Sequence, residues 1–483
     1  MTTLSLTPRP PQRRPLFWTD TVYDLQDALG QFDAEIYLVG GAVRDSLLGV
    51  AGKDFDLTTT GDPVRIARHI ANTFAGDIYV MDAERGVARA MIDRPDGFYI
   101  IDVNAMRGDG LLADLRDRDF TINAIAVDLM GDLTQIIDPL GGESDLINKL
   151  LRRCDLNWLV NDPVRSLRAV RMTVKYQLRL DGDTLQDVWK MLAELQEMPA
   201  ERGRDEFFKI LSLNKAHVTV RLMEQLKLLN FILPEVAPLK HIPFEEQSNV
   251  WDMTLHTMEK LLQMMVAISP RRTDSNAAVF DLGTMVMALD VFRQRLQAHL
   301  AVMWPDERSH EALLLLSILL LRIDQAHEEL DLIEMVEERG RALRLSVDEI
   351  RRLKLIVAHH HIPLTMATDD LSLHRFWHEY QDAGVDLCLV GMAVYLGQFQ
   401  FQPNHDEWVL LLEQMRVILY GYYMRYDEIV SPPVLLNGDE LMAQLGLKPS
   451  KQIGQLLTAI REAQVIGEVQ TKDDALIFVR RLL

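Results

Sequence analysis

The residues with the clearest chemical consequence are three acids. In "KDFDLTT", Asp54 and Asp56 alternate. On a strand both carboxylates then project from one face, while Phe55 and Leu57 turn to the other. Two carboxylates side by side repel unless a cation lies between them, and oxygen-only donors suit Mg²⁺. A third acid, Asp102, sits in the apolar run "FYIIDVNAM", where an unpaired carboxylate would be costly. Three acids on neighbouring strands form the donor set of two-metal phosphoryl or nucleotidyl transfer. Asp54, Asp56 and Asp102 are therefore the candidate catalytic residues, with Asp54 and Asp56 as metal ligands.

Just ahead of them lies "LVGGAVRDSLLG". A strand entering Gly40–Gly41 and leaving as a helix turns backbone N–H groups toward whatever occupies the turn, which suits phosphate oxygens. Arg44, one turn later, adds a fork of donors. Paired glycines alone are equally a plain turn; the acids that follow decide between the readings. Downstream, "RDFTINAIAVD" supplies Arg118 and Asp119 for triphosphate and ribose hydroxyl groups, and Asn123 to anchor the turn. Asp119 also reads as a helix N-terminal acid.

In "NDPVRSLRAVRM", Asp162, Arg165, Arg168 and Arg171 recur every three residues. On a helix they make one drifting polar stripe, either a solvated face or a recognition surface. Cytosine and adenine each show an amino donor beside a ring-nitrogen acceptor. A carboxylate and a guanidinium match both bases, whereas uracil and guanine would leave those groups unpaired. Asp162 and Arg165 thus form a candidate protein template for C and A.

The elements that must position these residues change character along the chain. "EIYLV", "DIYVMD", "VARAMID" and "FYIIDVNAM" read as short strands, with a helix over "DPVRIARHIANTF". From about Asp145 onward the apolar residues recur at helical steps. At 483 residues several domains are expected. The net charge of −20 argues against broad affinity for nucleic acid but leaves room for a local basic face. Two cysteines, Cys154 and Cys388, supply no disulfide framework and fit a cytoplasmic location. The N-terminus lacks the apolar core of a signal peptide, and "ALLLLSILLL" is too short to span a bilayer. No membrane partner is expected.

"LVGGAVRDSLLG" with "DFD", "RDFTINA", "DPVRSLRAVR" and "ERGRDEFFKIL" resemble, in this order, the motifs of the class II tRNA nucleotidyltransferase and bacterial poly(A) polymerase family. The resemblance implies an α+β fold: an N-terminal nucleotidyltransferase-type, polymerase beta-like mixed sheet with helices, then an elongated all-helical neck, body and tail. The corresponding spans are a mobile tail (1–30), a catalytic head (31–145), a neck that recognises the base (146–236), a body (237–430) and a tRNA-binding tail (431–483). By the same match Gly41, Arg44, Arg118, Asp162, Arg165, Arg168 and Arg171 hold the nucleotide, with Gly40, Asp119 and Asn123 beside them. Two Mg²⁺ ions are expected at Asp54 and Asp56, with Asp102 adjacent. The implied reaction is attack of a tRNA 3′-hydroxyl on the α-phosphate of CTP or ATP, releasing pyrophosphate. The implied partners are the tRNA 3′ end and acceptor arm.

The body resembles a domain related to HD phosphohydrolases, but leucines stand where its His-Asp pair belongs. His256 and His359–His361 are therefore expected to pack or face solvent, leaving the body a scaffold. In the tail, Lys448 and Lys451 are expected to meet RNA backbone or to belong to a small helical cap. Two departures bear on specificity. Asn161 replaces the usual Glu before Asp162, and the segment Arg107–Arg118 is shorter than in many CCA-adding members, which favours adding CC alone. The rival expectations are a poly(A) polymerase and a non-catalytic nucleotide- or RNA-binding protein; the three acids stand against the second.

Overall fold

The computed structural model describes residues 15–192, 198–245, 248–270, 280–327, 329–399, 404–446 and 448–483. The chain divides into two compact units, Met1–Met198 and Pro199–Leu483.

The first unit is built in the order α1 (Asp20–Leu29), β1 (Ile36–Val39), α2 (Gly41–Leu47), β2 (Asp54–Thr59), α3 (Pro63–Thr73), β3 (Asp77–Asp82), β4 (Val87–Arg94), β5 (Gly97–Ala105), α4 (Leu111–Arg116), β6 (Ala126–Asp128), α5 (Gly142–Ile147), α6 (Trp158–Asn161), α7 (Arg165–Lys175) and α8 (Gly182–Lys190). Its mixed sheet has the order β3-β4-β5-β2-β1-β6. Only β2 and β5 run parallel; the other pairs are antiparallel. Alternation decides which face is covered. Ala88, Ala90, Ile92, Tyr99, Ile101 and Val103 are fully buried on the face where α3 packs. Asp62 caps α3, accepting from Val64 N (2.9 Å) and Arg65 N (3.2 Å), with Pro63 in the first turn.

Two expected boundaries change. Residues 20–30, assigned to a mobile tail, contain α1, whose Val22, Leu25 and Leu29 are fully buried; residues 1–14 lie outside the described residues. The spacing of those three apolar residues is helical, and burial of that stripe holds the helix. The expected neck, 146–236, is divided at Met198–Pro199, so α6 to α8 belong to the unit that holds the sheet.

The second unit is helical apart from two-residue and three-residue ladders such as Met303–Trp304 with Arg308–Ser309. Helix Val250–Ile268 packs against His310–Leu320 and Ala383–Gly397. His310–Leu320, which carries most of the apolar run of the sequence, is buried at every residue except Glu311. Among the described residues no helix is long and apolar enough to cross a membrane. Near its end, Leu441, Ile453, Leu456, Ile460 and Val479 form a separate small core.

Inside this unit, Asp386 on Ala383–Gly397 is fully buried and meets three cations or donors. His299 Nε2 lies 2.6 Å and His310 Nε2 2.8 Å from its Oδ1, and Arg352 Nη1 donates to Oδ2 at 2.7 Å. His256 is half-buried on Val250–Ile268, and His359–His361 lie around the end of Val347–His359. Burial pushes His360 down to about 4.

Candidate active site

The acids occupy the open face of the sheet, opposite α3. In β2, Phe55 and Leu57 are buried below while Asp54 is exposed and Asp56 half-buried above. The parallel register sets Asp56 directly beside Asp102 of β5, and Asp54 beside Ile100. Burial pushes the Asp56 carboxyl upward; Arg118 opposes the shift, and Asp102 and Asp54 reinforce it. Arg168 opposes it as well, so the rise marks a carboxylate withdrawn from water, not one short of positive charge. Asp102 is paired: Arg89 on β4 grips it with both ends of its fork, Nε to Oδ1 at 2.7 Å and Nη2 to Oδ2 at 2.9 Å.

The glycine turn closes on the same place. Gly40 has φ of +75°, a left-handed conformation that disfavours a side chain. A methyl group there would meet Arg118 Nη1 at 3.0 Å and Asp56 Oδ2 at 3.3 Å. The space above Gly40 is thus a small cradle walled by one cationic and one anionic group. The first N–H groups of α2 point out of this turn without helical partners. Three carboxylates, one of them largely withdrawn from water, beside such a cradle are a donor set that fits a hard divalent cation with its phosphate ligand.

The arginines are each held by a specific neighbour. Arg44 donates to Asn123 Oδ1, to the Tyr176 hydroxyl and to Asp45 Oδ1, and its guanidinium lies 4.2 Å from the Tyr176 ring centre. Arg118 donates to Asp114 Oδ2 through Nε (3.3 Å) and Nη2 (3.2 Å), which leaves Nη1 toward Gly40. Arg168 Nη2 lies 2.8 Å from Asp119 Oδ2, and Asn123 Nδ2 donates to Asp119 Oδ1 at 2.9 Å. Burial alone would raise the Asp119 carboxyl, but Arg168, Asn123 and the Phe120 N–H outweigh it and hold it below the usual range. Asp119 therefore serves as an internal anchor for Arg168 and the Thr121–Asn123 turn, and not as the first acid of a long helix.

One part of the expected pattern is arranged differently. α7 begins at Arg165, so Asp162 lies before it in extended backbone and off the arginine stripe. Pro163 forces that conformation on the residue it follows. Arg165 is buried and donates to the carbonyls of Asp117 (2.6 Å) and Trp158 (3.1 Å), while its Nε lies 4.0 Å from Asp162 Oδ2. The two proposed base readers are neighbours, but much of the Arg165 fork is engaged by main chain. The segment Arg107–Arg118 contains α4 and is tied by Arg107 Nη1 to Asp117 Oδ2 at 2.7 Å.

Arg89, Asp114 and Tyr176 carry no spacing signal and come to light only in the structure. So does Lys175, whose amine burial pushes down together with Arg44 and Arg171, while Asp45 and Asp54 pull it up. Arg44→Ala removes hydrogen bonds to a charged group, each worth about 1.5–3 kcal/mol. It is expected to raise the nucleotide KM roughly tenfold to a hundredfold, read from initial rates against nucleotide concentration.

Comparison with known proteins adds a second line. The model described as the poly A polymerase head domain matches residues 36–112 and 104–152. The probable RNA and SrmB-binding site of polymerase A matches 177–240, and the putative tRNA nucleotidyltransferase domain 2 matches 422–479. The A-adding tRNA nucleotidyltransferase of Deinococcus radiodurans is 30% identical over 92% of this chain and 94% of its own. The CC-adding tRNA nucleotidyltransferase of Thermus thermophilus is 27% identical over 92% and 93%. A solved CCA-adding enzyme in complex with ATP superposes with a TM-score of 0.62 at 19% identity, covering 96% of this chain and 95% of that one.

Proposed function

Because this chain belongs to the tRNA nucleotidyltransferase family, we propose that it completes part of the tRNA 3′ end, adding the terminal A from ATP without a nucleic-acid template. The observation that carries this reading is the full-length likeness to an A-adding enzyme at 30% identity. The second reading is addition of CC from CTP, favoured by the Thermus relative and by the short Arg107–Arg118 segment. Poly(A) polymerases enter as family relatives, through the head model and the model matched at 177–240. Both free cysteines fit the reducing cytoplasm.

In this mechanism Asp54 and Asp56 hold divalent cations, taken as two Mg²⁺ ions. When bound, they supply positive charge at the transferring phosphate and make the attacking hydroxyl more acidic. The protein's own groups do the rest. The Gly40–Gly41 turn, Arg44 and Arg118 grip the triphosphate and hold its α-phosphate over the sheet. Asp102, kept in place by Arg89, orients the 3′-hydroxyl from the neighbouring strand. The O3′–Pα bond forms as the hydroxyl proton leaves to water past the Asp102 carboxylate and the bond from Pα to the bridging oxygen breaks, and the arginines neutralise the departing pyrophosphate. Arg168 and Asp119 support the nucleotide from beneath, and Asp162 with Arg165 reads its base.

The test uses tRNA ending at the discriminator base and tRNA ending in CC, each with labelled ATP or CTP. Only CC-ended tRNA with ATP is expected to gain a single nucleotide. Extension of the shorter tRNA by CTP alone favours the second reading. Its extension to full CCA overturns the split assignment, and long A runs on unrelated RNA overturn the tRNA reading altogether.

A further inference from the structure

We propose that the part of the open sheet face lying beyond Asp102 seats the last nucleotides of the RNA primer, with Tyr79 and Phe98 as stacking platforms. The inference rests on the polymerising reading of the site given above. It starts from register. Asp56 pairs with Asp102, Asp102 with Arg89, and Arg89 with Tyr79. Directly opposed residues share a face, so one row runs from the metal-binding acids across β5 and β4 to Tyr79 on the edge strand β3. Phe98 lies four residues before Asp102 on β5, on the same face.

This face is open, and its apolar side chains lie among acids, with exposed Asp77 opposite Met91 and exposed Asp93 opposite Phe98. Tyr79 is 62% and Phe98 50% exposed, and Met91 and Ile100 between them are half-buried. The alternate residues of β4 and β5 are sealed under α3. An exposed aromatic platform on an edge strand is a liability unless something covers it. Continuity with the catalytic acids says what. A primer 3′-hydroxyl placed at Asp102 must bring its own base and the preceding nucleotide over the adjoining strands. With strands about 4.8 Å apart, Tyr79 lies about 10 Å from Asp102, within reach of those bases. Exposed aromatics on a sheet are a general way of holding unpaired RNA. Arg89 contributes by neutralising Asp102, which keeps the middle of the row from repelling a phosphodiester.

Stacking on apolar rings leaves a thermodynamic mark distinct from ion pairing: its contribution is nearly independent of salt. Steady-state kinetics on Tyr79→Ala, Phe98→Ala and Tyr79→Phe, together with anisotropy of a short labelled single-stranded RNA ending in CC, test the proposal. The alanine variants are expected to raise the tRNA KM and weaken RNA binding roughly tenfold each. The loss should be equal at low and high salt, with nucleotide KM and melting temperature unchanged. Tyr79→Phe should behave as wild type. Unchanged RNA binding in the double alanine variant overturns the platform, as does a dimer that the alanine variants dissociate while RNA binding holds. The anisotropy arm requires no turnover, so failure of the tRNA assignment shows separately as a wild-type protein that binds RNA but extends no tRNA.

Discussion

Asp56→Ala is expected to lower nucleotide addition by at least about a thousandfold while leaving tRNA affinity within a few-fold of wild type. Asp56 is the acid with most at stake. It sits between Asp54 on its own strand and Asp102 on the next, and burial already pushes its carboxyl upward. On the proposed mechanism a cation held there anchors the reacting phosphate. The same substitution should therefore separate two measurements. Adding Mg²⁺ should raise the melting temperature of the wild type by ligand linkage. Asp54→Ala and Asp56→Ala should abolish that rise without lowering the metal-free melting temperature. Chelation should silence the wild type and be reversed by Mg²⁺. Wild-type turnover in either alanine variant would remove the metal role from these acids.

The acids were legible because their chemistry and their geometry share one period. A strand alternates, and "DFD" alternates with it, so the face assignment needed no tertiary information. The strands "DIYVMD" and "VARAMID" were legible for the same reason, and their boundaries agree with β3 and β4 to within a residue. What was missed depends on long-range partners. Arg89 pairs with Asp102 across two strands, and Tyr176 meets Arg44 from more than a hundred residues away. No local spacing encodes either contact. The Asp162–Arg165 stripe failed at one point, where a proline two residues before the helix takes Asp162 off the stripe. The α1 residues were grouped with the tail because the composition of the basic segment before them dominates a short window, whereas the stripe of Val22, Leu25 and Leu29 is only three residues wide.

The buried histidines pose a question that only hydrogen-bond polarity answers. His299, His310 and Asp386 converge closely enough to hold a metal ion. The indole of Trp304, which can only donate, points its Nε1 at His310 Nδ1 at 3.1 Å. That fixes the proton of a neutral His310 on Nε2, where it donates to Asp386 and leaves no lone pair for a metal. Arg352 occupies the other carboxylate oxygen. The cluster is thus a closed network that ties Arg293–Leu300, His310–Leu320, Val347–His359 and Ala383–Gly397 together. Asp386→Ala leaves His299 and His310 without their acceptor and leaves Arg352 only Asp382, at 2.6 Å, and the expected cost is about 2–5 kcal/mol, read as a lower melting temperature and denaturant midpoint. Burial alone would raise the Asp386 carboxyl, but His310 and His299 outweigh it and hold it far below the usual range. A depressed carboxyl contributes stability above its unfolded value of about 3.9 and loses it as pH falls toward the folded one. The gap between wild type and Asp386→Ala should therefore be full at neutral pH and shrink below about pH 4. Zn²⁺ should leave the wild-type melting temperature unchanged; a rise that Asp386→Ala abolishes would make the cluster a metal site after all.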